Sequence, residues 1–362
     1  MRRHWQRRPL LVRGAFPGFV DPLSRDEVFA LASNPDCSAR LVRRRGTSWA
    51  VEHGPFSTRR LKQLPRRGWT VLVQDTNRFS RAADALLGRF DFIPHARIDD
   101  VMVSYAAPGG GVGPHVDSSD VFLLQGMGRR RWRISRQEDR ELVPGMPLKI
   151  LADFRPGEEW VLEPGDMLYL PPGIAHDGVA ESECLTWSIG FRAPSDAEVA
   201  TGFLEFLQER IAPEGHYGDA GARAVSHPGE IPRALQAHFA RTLRAIRWNA
   251  ADVREFAGRF LTEPRAQVVF EAPRRALARA PFERAAARRG VKLDPGSRFG
   301  FSGTMFFLNG ESVEVARPAR AAMRRLADDR RLAPPVEVPP EAWELLHEWY
   351  RRGYVALERI RA

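Results

Sequence analysis

Between Asp99 and Arg192 the chain is cut into short β-rich runs by glycine and proline, and that cadence narrows what the stretch can fold into. The runs are Val101-Met-Val-Ser-Tyr105, Asp120-Val-Phe-Leu-Leu-Gln125, Arg129 to Ile134, Trp160-Val-Leu162, Asp166-Met-Leu-Tyr-Leu170 and Cys184 to Phe191. Between them lie Pro108-Gly-Gly-Gly-Val-Gly-Pro114, Glu163-Pro-Gly165 and Pro171-Pro-Gly173. Many short strands with turn residues at this spacing predict an antiparallel sandwich or barrel.

The flanks have another period. Asp21 to Ala32 predicts a helix with Ser24 as N-cap and Glu27 at N3, and Arg81 to Leu87 predicts a second. After Pro194, Ser195 to Ile211 is helical, with Ser195 capping and Val199, Phe203, Phe206 and Leu207 on one face. Ile231 to Ile246 and Asp252 to Phe260 follow in kind. Such apolar-faced helices either join two copies of the chain or cover the barrel. Further on, a helix at Arg274–Arg289 precedes a hairpin from Arg298 to Val315 that turns at Asn309-Gly310. Helices at Arg317–Leu326 and Pro340–Tyr350 and a strand at Tyr354–Leu357 complete a winged-helix-like unit.

Charge is uneven. The chain of 362 residues carries 55 basic and 45 acidic side chains, net +10. Only Lys62, Lys149 and Lys292 are lysines, so the excess is arginine, a skew that codon bias produces as readily as function. Residues 301–362 hold 10 basic and 9 acidic residues, which is no phosphate-binding footprint for the winged-helix end, and direct nucleic-acid binding by the protein is not expected. Residues 151–200, by contrast, carry 2 basic and 10 acidic residues. Two cysteines, Cys37 and Cys184, exclude a disulfide scaffold and a cysteine-built zinc site, and free buried thiols are expected. The basic start lacks the apolar run of a signal peptide and no stretch is long enough to span a bilayer, so the expected location is the cytoplasm, with no membrane partner.

The chemistry gathers in His115-Val-Asp117 and, 59 residues later, His176 in Pro171-Pro-Gly-Ile-Ala-His176. Residues two apart on a strand share a face, so His115 and Asp117 can hold one ion together. A second imidazole delivered by a strand running into a Pro-Gly turn completes the two-histidine, one-carboxylate set of non-heme iron(II) oxygenases. It leaves open positions for a co-substrate and dioxygen. Zinc could use the same ligands, but the neighbouring groups favour iron.

A 2-oxoglutarate oxygenase also needs a cation for the distal carboxylate of its co-substrate. In Arg129-Arg-Arg-Trp-Arg-Ile134, alternation places Arg130 with Trp132 and Ile134 on one face and Arg129, Arg131 and Arg133 on the other. The first face is apolar apart from one cation, so Arg130 is expected to point inward, where a guanidinium fork can bind a carboxylate. On Cys184 to Phe191, Leu185, Trp187, Ile189 and Phe191 form an apolar face packed against helices. Cys184, Thr186, Ser188 and Gly190 are small and suit a cavity wall, with Ser104 as a further lining hydroxyl.

These segments, together with Ser188-Ile-Gly-Phe-Arg-Ala-Pro194, Arg3-His-Trp-Gln-Arg-Arg-Pro9 and His53-Gly-Pro-Phe56, resemble the JmjC (cupin-type) ribosomal oxygenases, and among them the bacterial arginine hydroxylases of large-subunit ribosomal protein sixteen. The likeness is dense over 1–200 and looser beyond. It implies an α+β chain: a double-stranded β-helix (jelly-roll) catalytic domain at 1–195, a helical dimerisation region at 196–265 and a winged-helix-like domain at 266–362. It implies a homodimer, with Fe(II), 2-oxoglutarate and dioxygen used to hydroxylate C3 of an arginine in a basic ribosomal-protein loop. On that resemblance the metal falls to His115, Asp117 and His176 and the co-substrate cation is Arg130. Thr186 departs from it, standing where a longer polar residue such as Asn is expected, and the chain begins almost at the Arg-His-Trp motif, where the family has a short leader. The acidic stretch around His176, with Asp177, Glu181 and Glu183, is expected to steer the basic substrate. Alternatives are a ribosomal-protein histidine hydroxylase, a barrel without catalysis whose winged helix regulates by binding nucleic acid, and a cupin isomerase or sugar-binding barrel.

Overall fold

The computed structural model describes residues 1–358, which divide into one unit up to Ala193 and a second from Pro194. The first unit is built on two antiparallel sheets. The larger runs, edge to edge, β1 (Leu10–Val12), β10 (Met167–Leu170), β7 (Asp120–Gln125), β12 (Cys184–Phe191), β5 (Ile98–Ala106), β4 (Trp69–Val73), β2 (Ala39–Arg45) and β3 (Ser48–His53). The smaller runs β6 (His115–Val116), β11 (Ala175–Ala180), β8 (Arg130–Ser135) and β9 (Glu158–Leu162). Outside the sequential neighbours β2–β3, β4–β5 and β8–β9, sheet order departs from chain order; the cadence gave an antiparallel sandwich or barrel, and the double-stranded β-helix is what the family resemblance implies. Sequence reading missed β2, β3 and β4, because the Arg43-Arg-Arg45 run reads as solvated charge rather than as the edge of a sheet.

The outer face of the large sheet is sealed by helices α1 (Arg25–Ser33), α2 (Thr58–Lys62), α3 (Thr76–Phe79) and α4 (Arg81–Leu87). Ser24 and Glu27 form the expected capping box on α1, each satisfying a backbone amide the helix cannot. Leu185, Trp187, Ile189 and Phe191 are fully buried in this core with Phe29 and Leu86, as alternation on β12 predicts. The amino-terminal motif belongs to it too: Trp5 stacks on Tyr169 with ring centroids 5.6 Å apart. Cys37 and Cys184 are buried and free.

The second unit begins with α5 (Asp196–Gln208), capped by the Ser195–Glu198 box, followed by α6 (Arg233–Ala245) and α7 (Ala250–Thr262). On α5, Phe206 and Leu207 pack on Phe256 of α7, while Val199 of the expected face remains 41% exposed. The remainder is α8 (Arg279–Arg289), β13 (Val291–Leu293), β14 (Phe299–Ser302), β15 (Met305–Leu308), β16 (Glu311–Val313), α9 (Arg320–Asp329), β17 (Arg331–Leu332), α10 (Pro340–Arg352) and β18 (Val355–Leu357). The single hairpin expected over 298–315 is a three-stranded meander: Asn309-Gly310 turns β15 into β16, and a second turn at Gly303 joins β14 to β15. That turn is marked by Ser302-Gly303, a less specific hairpin signal than Asn309-Gly310, and the two strands read as one. Helix α7, inside the stretch expected to be a separate helical region, lies on this meander, its Gly258 leaving room for the Phe307 ring. Among the described residues no helix is long and apolar enough to cross a membrane.

Candidate metal centre

The three ligand-type side chains converge because two strands place them in register. His176 on β11 pairs directly with His115 on β6, and their ring centroids lie 4.2 Å apart. Asp117 follows β6 and turns back to them, one carboxylate oxygen 3.7 Å from His115 Nε2 and the other 3.6 Å from His176 Nε2. One ligand atom from each of the three lies within 4.8 Å of the others. Both imidazoles are oriented alike. His115 Nδ1 donates to Gly113 O at 2.8 Å and His176 Nδ1 to Ile174 O at 2.9 Å. A carbonyl only accepts, so the proton sits on Nδ1 and each Nε2 keeps its lone pair turned to the shared space.

Burial grades across the trio. The His176 side chain is 3% exposed, that of His115 23% and that of Asp117 46%. Loss of hydration pushes the His176 pKa down to about 4, with the neighbouring His115 adding to the effect and Asp117 opposing it. The ring is therefore neutral at physiological pH, the state that ligates a metal. Beside Asp117 opens a cleft of about 610 Å³, whose walls include Val116, Leu142, Leu151, Pro172, Arg140 and Lys149.

Arg130 lies deeper on the same interior. Along β8, Ile134 pairs with His176, Trp132 with Gly178 and Arg130 with Ala180. At about 3.3 Å per residue, that sets the Arg130 backbone about 13 Å down the strand from the position facing His176. Its guanidinium is over the Trp132 ring at 5.7 Å and donates through Nη1 to Ser104 Oγ at 3.3 Å. Its Nε and Nη2 are buried without a hydrogen-bond partner among the described residues. A buried cation with two idle donors is costly unless an acceptor occupies the space before it. Gly178 is what lets the Trp132 indole lie flat there, since a Cβ would come 2.6 Å from its ring carbons.

The other sequence-predicted lining residues divide. Ser104 reaches Arg130 directly. Thr186 pairs with Ser104 across the sheet, but its hydroxyl donates to Gln125 Oε1 at 3.2 Å. Gln125 is a fully buried amide that sequence reading did not single out; its signal was a polar residue closing the apolar run Val121–Leu124. Ser188 is half-buried, paired in register with Leu123 and Met102.

The acidic steering surface is not there as expected. Asp177 is buried and paired with Arg133, Glu181 with Arg131 and Arg129, and Glu183 lies 3.9 Å from Arg25. Strand pairing accounts for two of the three: Arg133 on β8 stands opposite Asp177 on β11, and Arg131 and Arg129 reach Glu181 just beyond that strand, whereas the Glu183 neighbour Arg25 is on α1.

Comparison with known proteins agrees with this geometry. Residues 85–199 match the JmjC domain and residues 245–356 the ROXA-like winged helix. The chain is 39% identical over 232 residues to the ribosomal protein uL16 3-hydroxylase of Escherichia coli, a match spanning 64% of this chain and 62% of that enzyme. It is 40% identical over 208 residues to a probable ribosomal oxygenase of Haemophilus influenzae, spanning 56% of this chain and 51% of that protein. Both sequence matches thus span less than two thirds of the relative. The structural match is longer. The E. coli ribosomal oxygenase YcfD, solved with cobalt and 2-oxoglutarate, superposes with a TM-score of 0.83 at 31% identity over 99% of this chain and 97% of that one.

Proposed function

The chain belongs to the JmjC-domain ribosomal oxygenases, and from that premise we propose that it is an iron(II)- and 2-oxoglutarate-dependent hydroxylase acting on C3 of an arginine in large-subunit ribosomal protein uL16. The observation that carries this reading is the pairing of two sites in one interior: three metal-type ligands at one end and an under-satisfied buried guanidinium further down.

The residues fit the groups the family uses. His115, Asp117 and His176 would hold the iron, and Arg130, with Ser104 beside it, would take the distal carboxylate of 2-oxoglutarate. When bound, iron(II) supplies the chemistry that couples decarboxylation of the keto acid to insertion of one oxygen atom into a C–H bond. The protein's own part is placement and dryness. Trp132 and the β7 and β9 side chains Val121, Leu123 and Leu162 exclude water around Arg130, where a carboxylate–guanidinium pair is stronger for want of competing solvent. Gly113 and Ile174 fix the imidazoles through their carbonyls. The cleft beside Asp117 leaves the most exposed ligand open to an incoming side chain.

Thr186 and Ser188 are assigned as weaker co-substrate contacts, with Gln125 holding the Thr186 hydroxyl in place. The family likeness and the exposed apolar residues on α6 support a homodimer formed through 196–265, ahead of a winged-helix-like domain. A ribosomal substrate puts the protein in the cytoplasm. The test incubates purified protein with Fe(II), 2-oxoglutarate and recombinant uL16. A single 16 Da gain on an arginine, matched by succinate and absent with His115→Ala, is expected; modification of a histidine instead, or turnover without any mass gain, overturns the assignment.

A further inference from the structure

Residues 40–68 hold nine basic side chains and a single acidic one, Glu52. Glu52 is shared by Arg43 and Arg60, and Lys62 is paired with Asp26 at 3.0 Å. Arg44, Arg45, Arg59, Arg66 and Arg67 are exposed, and among the described residues none of the five is within ion-pair distance of a carboxylate. Four of them share one end of the large sheet. The β2–β3 hairpin carries Arg44 and Arg45, and the turn with Arg66 and Arg67 is tied to it where Arg44 N donates to Gly68 O at 2.8 Å.

This cationic end adjoins the metal cleft. Arg44 lies over the Trp49 ring at 5.3 Å, and the far edge of that ring stands against Gly113, whose carbonyl orients His115. Ile150 presses on Gly113 from the other side, and its neighbour Lys149 lines the cleft. A partner bound along the hairpin would therefore sit at the mouth of the site. Meanwhile the carboxylates around His176 that could attract a bare basic peptide are already paired with arginines. A cationic rim repels such a peptide and attracts a polyanion.

We propose that this rim, Arg44, Arg45, Arg66 and Arg67, binds the phosphate backbone of RNA, so that the protein meets its basic substrate in RNA-associated form. The inference deepens the hydroxylase reading and rests on it only for why RNA should be present. RNA is favoured over an acidic protein because the hydroxylase reading brings a ribosomal substrate to this cleft, and unpaired surface guanidiniums alone suffice to hold a flexible phosphate chain.

The test needs no turnover. Full-length protein without iron or co-substrate is titrated against a labelled single-stranded RNA of about 20 nucleotides from about 50 to 300 mM salt, each phosphate contact contributing a slope of about −0.7. The variant Arg45→Ala/Arg66→Ala/Arg67→Ala should weaken binding at least tenfold at the lowest salt and reduce the slope by about 2. Arg274→Ala/Arg275→Ala/Arg284→Ala, the same charge removed from exposed arginines of the second unit, should leave the slope unchanged. Unfolding midpoints equal to wild type would show that both variants fold. Absence of saturable RNA binding, or equal loss in both variants, overturns the proposal. So does displacement of RNA by polyglutamate at equal charge, which would make the rim a surface for acidic proteins. RNA binding intact in a protein that hydroxylates no ribosomal protein would instead sink the hydroxylase reading and leave the rim assigned.

Discussion

His115 and His176 face one another across β6 and β11, and each is held by the carbonyl two residues before it. The two ligands are thus set by backbone, not by other side chains, and this makes the preceding residues as consequential as the histidines. Gly113 has φ +79°, and a Cβ there would lie 2.6 Å from Ile150 Cδ1 and 2.9 Å from the Trp49 ring. Gly113→Ala should therefore shift the carbonyl that orients His115. The expected loss is about 10- to 100-fold in Mn(II) or Co(II) affinity by calorimetry, as for other groups that orient a ligand. Unchanged affinity would mean that His115 is oriented by something else.

Arg130 gives a prediction of two opposite signs. In the absence of ligand its Nε and Nη2 are buried without partners among the described residues, so Arg130→Met, apolar and of similar length, should raise the melting temperature of the ligand-free protein. The same change should abolish stabilisation by 2-oxoglutarate, which for the wild type should reach about 2.7 kcal/mol at a hundred times the dissociation constant. Thermal scans with and without 2-oxoglutarate, both with Mn(II) present, read both effects. A variant that is still stabilised by the co-substrate would place the carboxylate elsewhere.

The stability of the metal-free protein should depend on His176. Its folded pKa is about 4, below the ordinary value of 6.5, because the buried ring resists protonation. Between those values the unfolded chain binds the proton and the folded one does not. Stability from this residue is complete above about pH 6.5 and falls as pH drops towards and through 4, by up to about 1.4 kcal/mol per pH unit. Urea unfolding of metal-free wild type and His176→Leu from pH 7.5 to 4.5 tests this. The variant should show a shallower decline in that window, and identical slopes would contradict the assignment.

What could be read from residues alone follows the range of the interaction. Alternation on Arg129–Ile134 and Cys184–Phe191 is local, and it placed Arg130 inward and Trp187 in the core. The Ser24–Glu27 and Ser195–Glu198 caps are local too. The arginine–carboxylate pairs on the outside of β8 and β11 depend on which strands become neighbours, and net charge counted along the chain cannot show that. For the same reason Gln125 was overlooked, and so was Asp120. Asp120 is fully buried and accepts from Tyr169, Arg97 and Gln6, tying the amino-terminal motif to β7.

That last cluster carries its own prediction. Asp120→Asn keeps the volume but removes the charge that answers Arg97, whose side chain also lies over Trp5 at 5.4 Å. Leaving a part-buried guanidinium without its counter-charge should cost about 3–5 kcal/mol in urea unfolding, with Trp5 fluorescence shifting to the red as its stack on Tyr169 loosens. A change below about 1 kcal/mol would mean that Gln6 and the Tyr169 hydroxyl hold the segment without the ion pair.

The apolar side chains of α6 bear on assembly. Phe239 and Leu243 are 61% and 66% exposed, lie four residues apart on one side of the helix, and no side chain on α6 is buried. An amphipathic helix with its apolar stripe in water is disfavoured by roughly 25 cal/mol for each Å² left uncovered. If a second copy covers the stripe, wild type should sediment as a dimer at micromolar concentration. Phe239→Asp/Leu243→Asp should then sediment as a monomer without loss of helical content, since neither residue belongs to a core within the chain. A wild type that stays monomeric at tens of times that concentration would leave the stripe facing some other partner, and the assignment of 196–265 to dimerisation would fall with it.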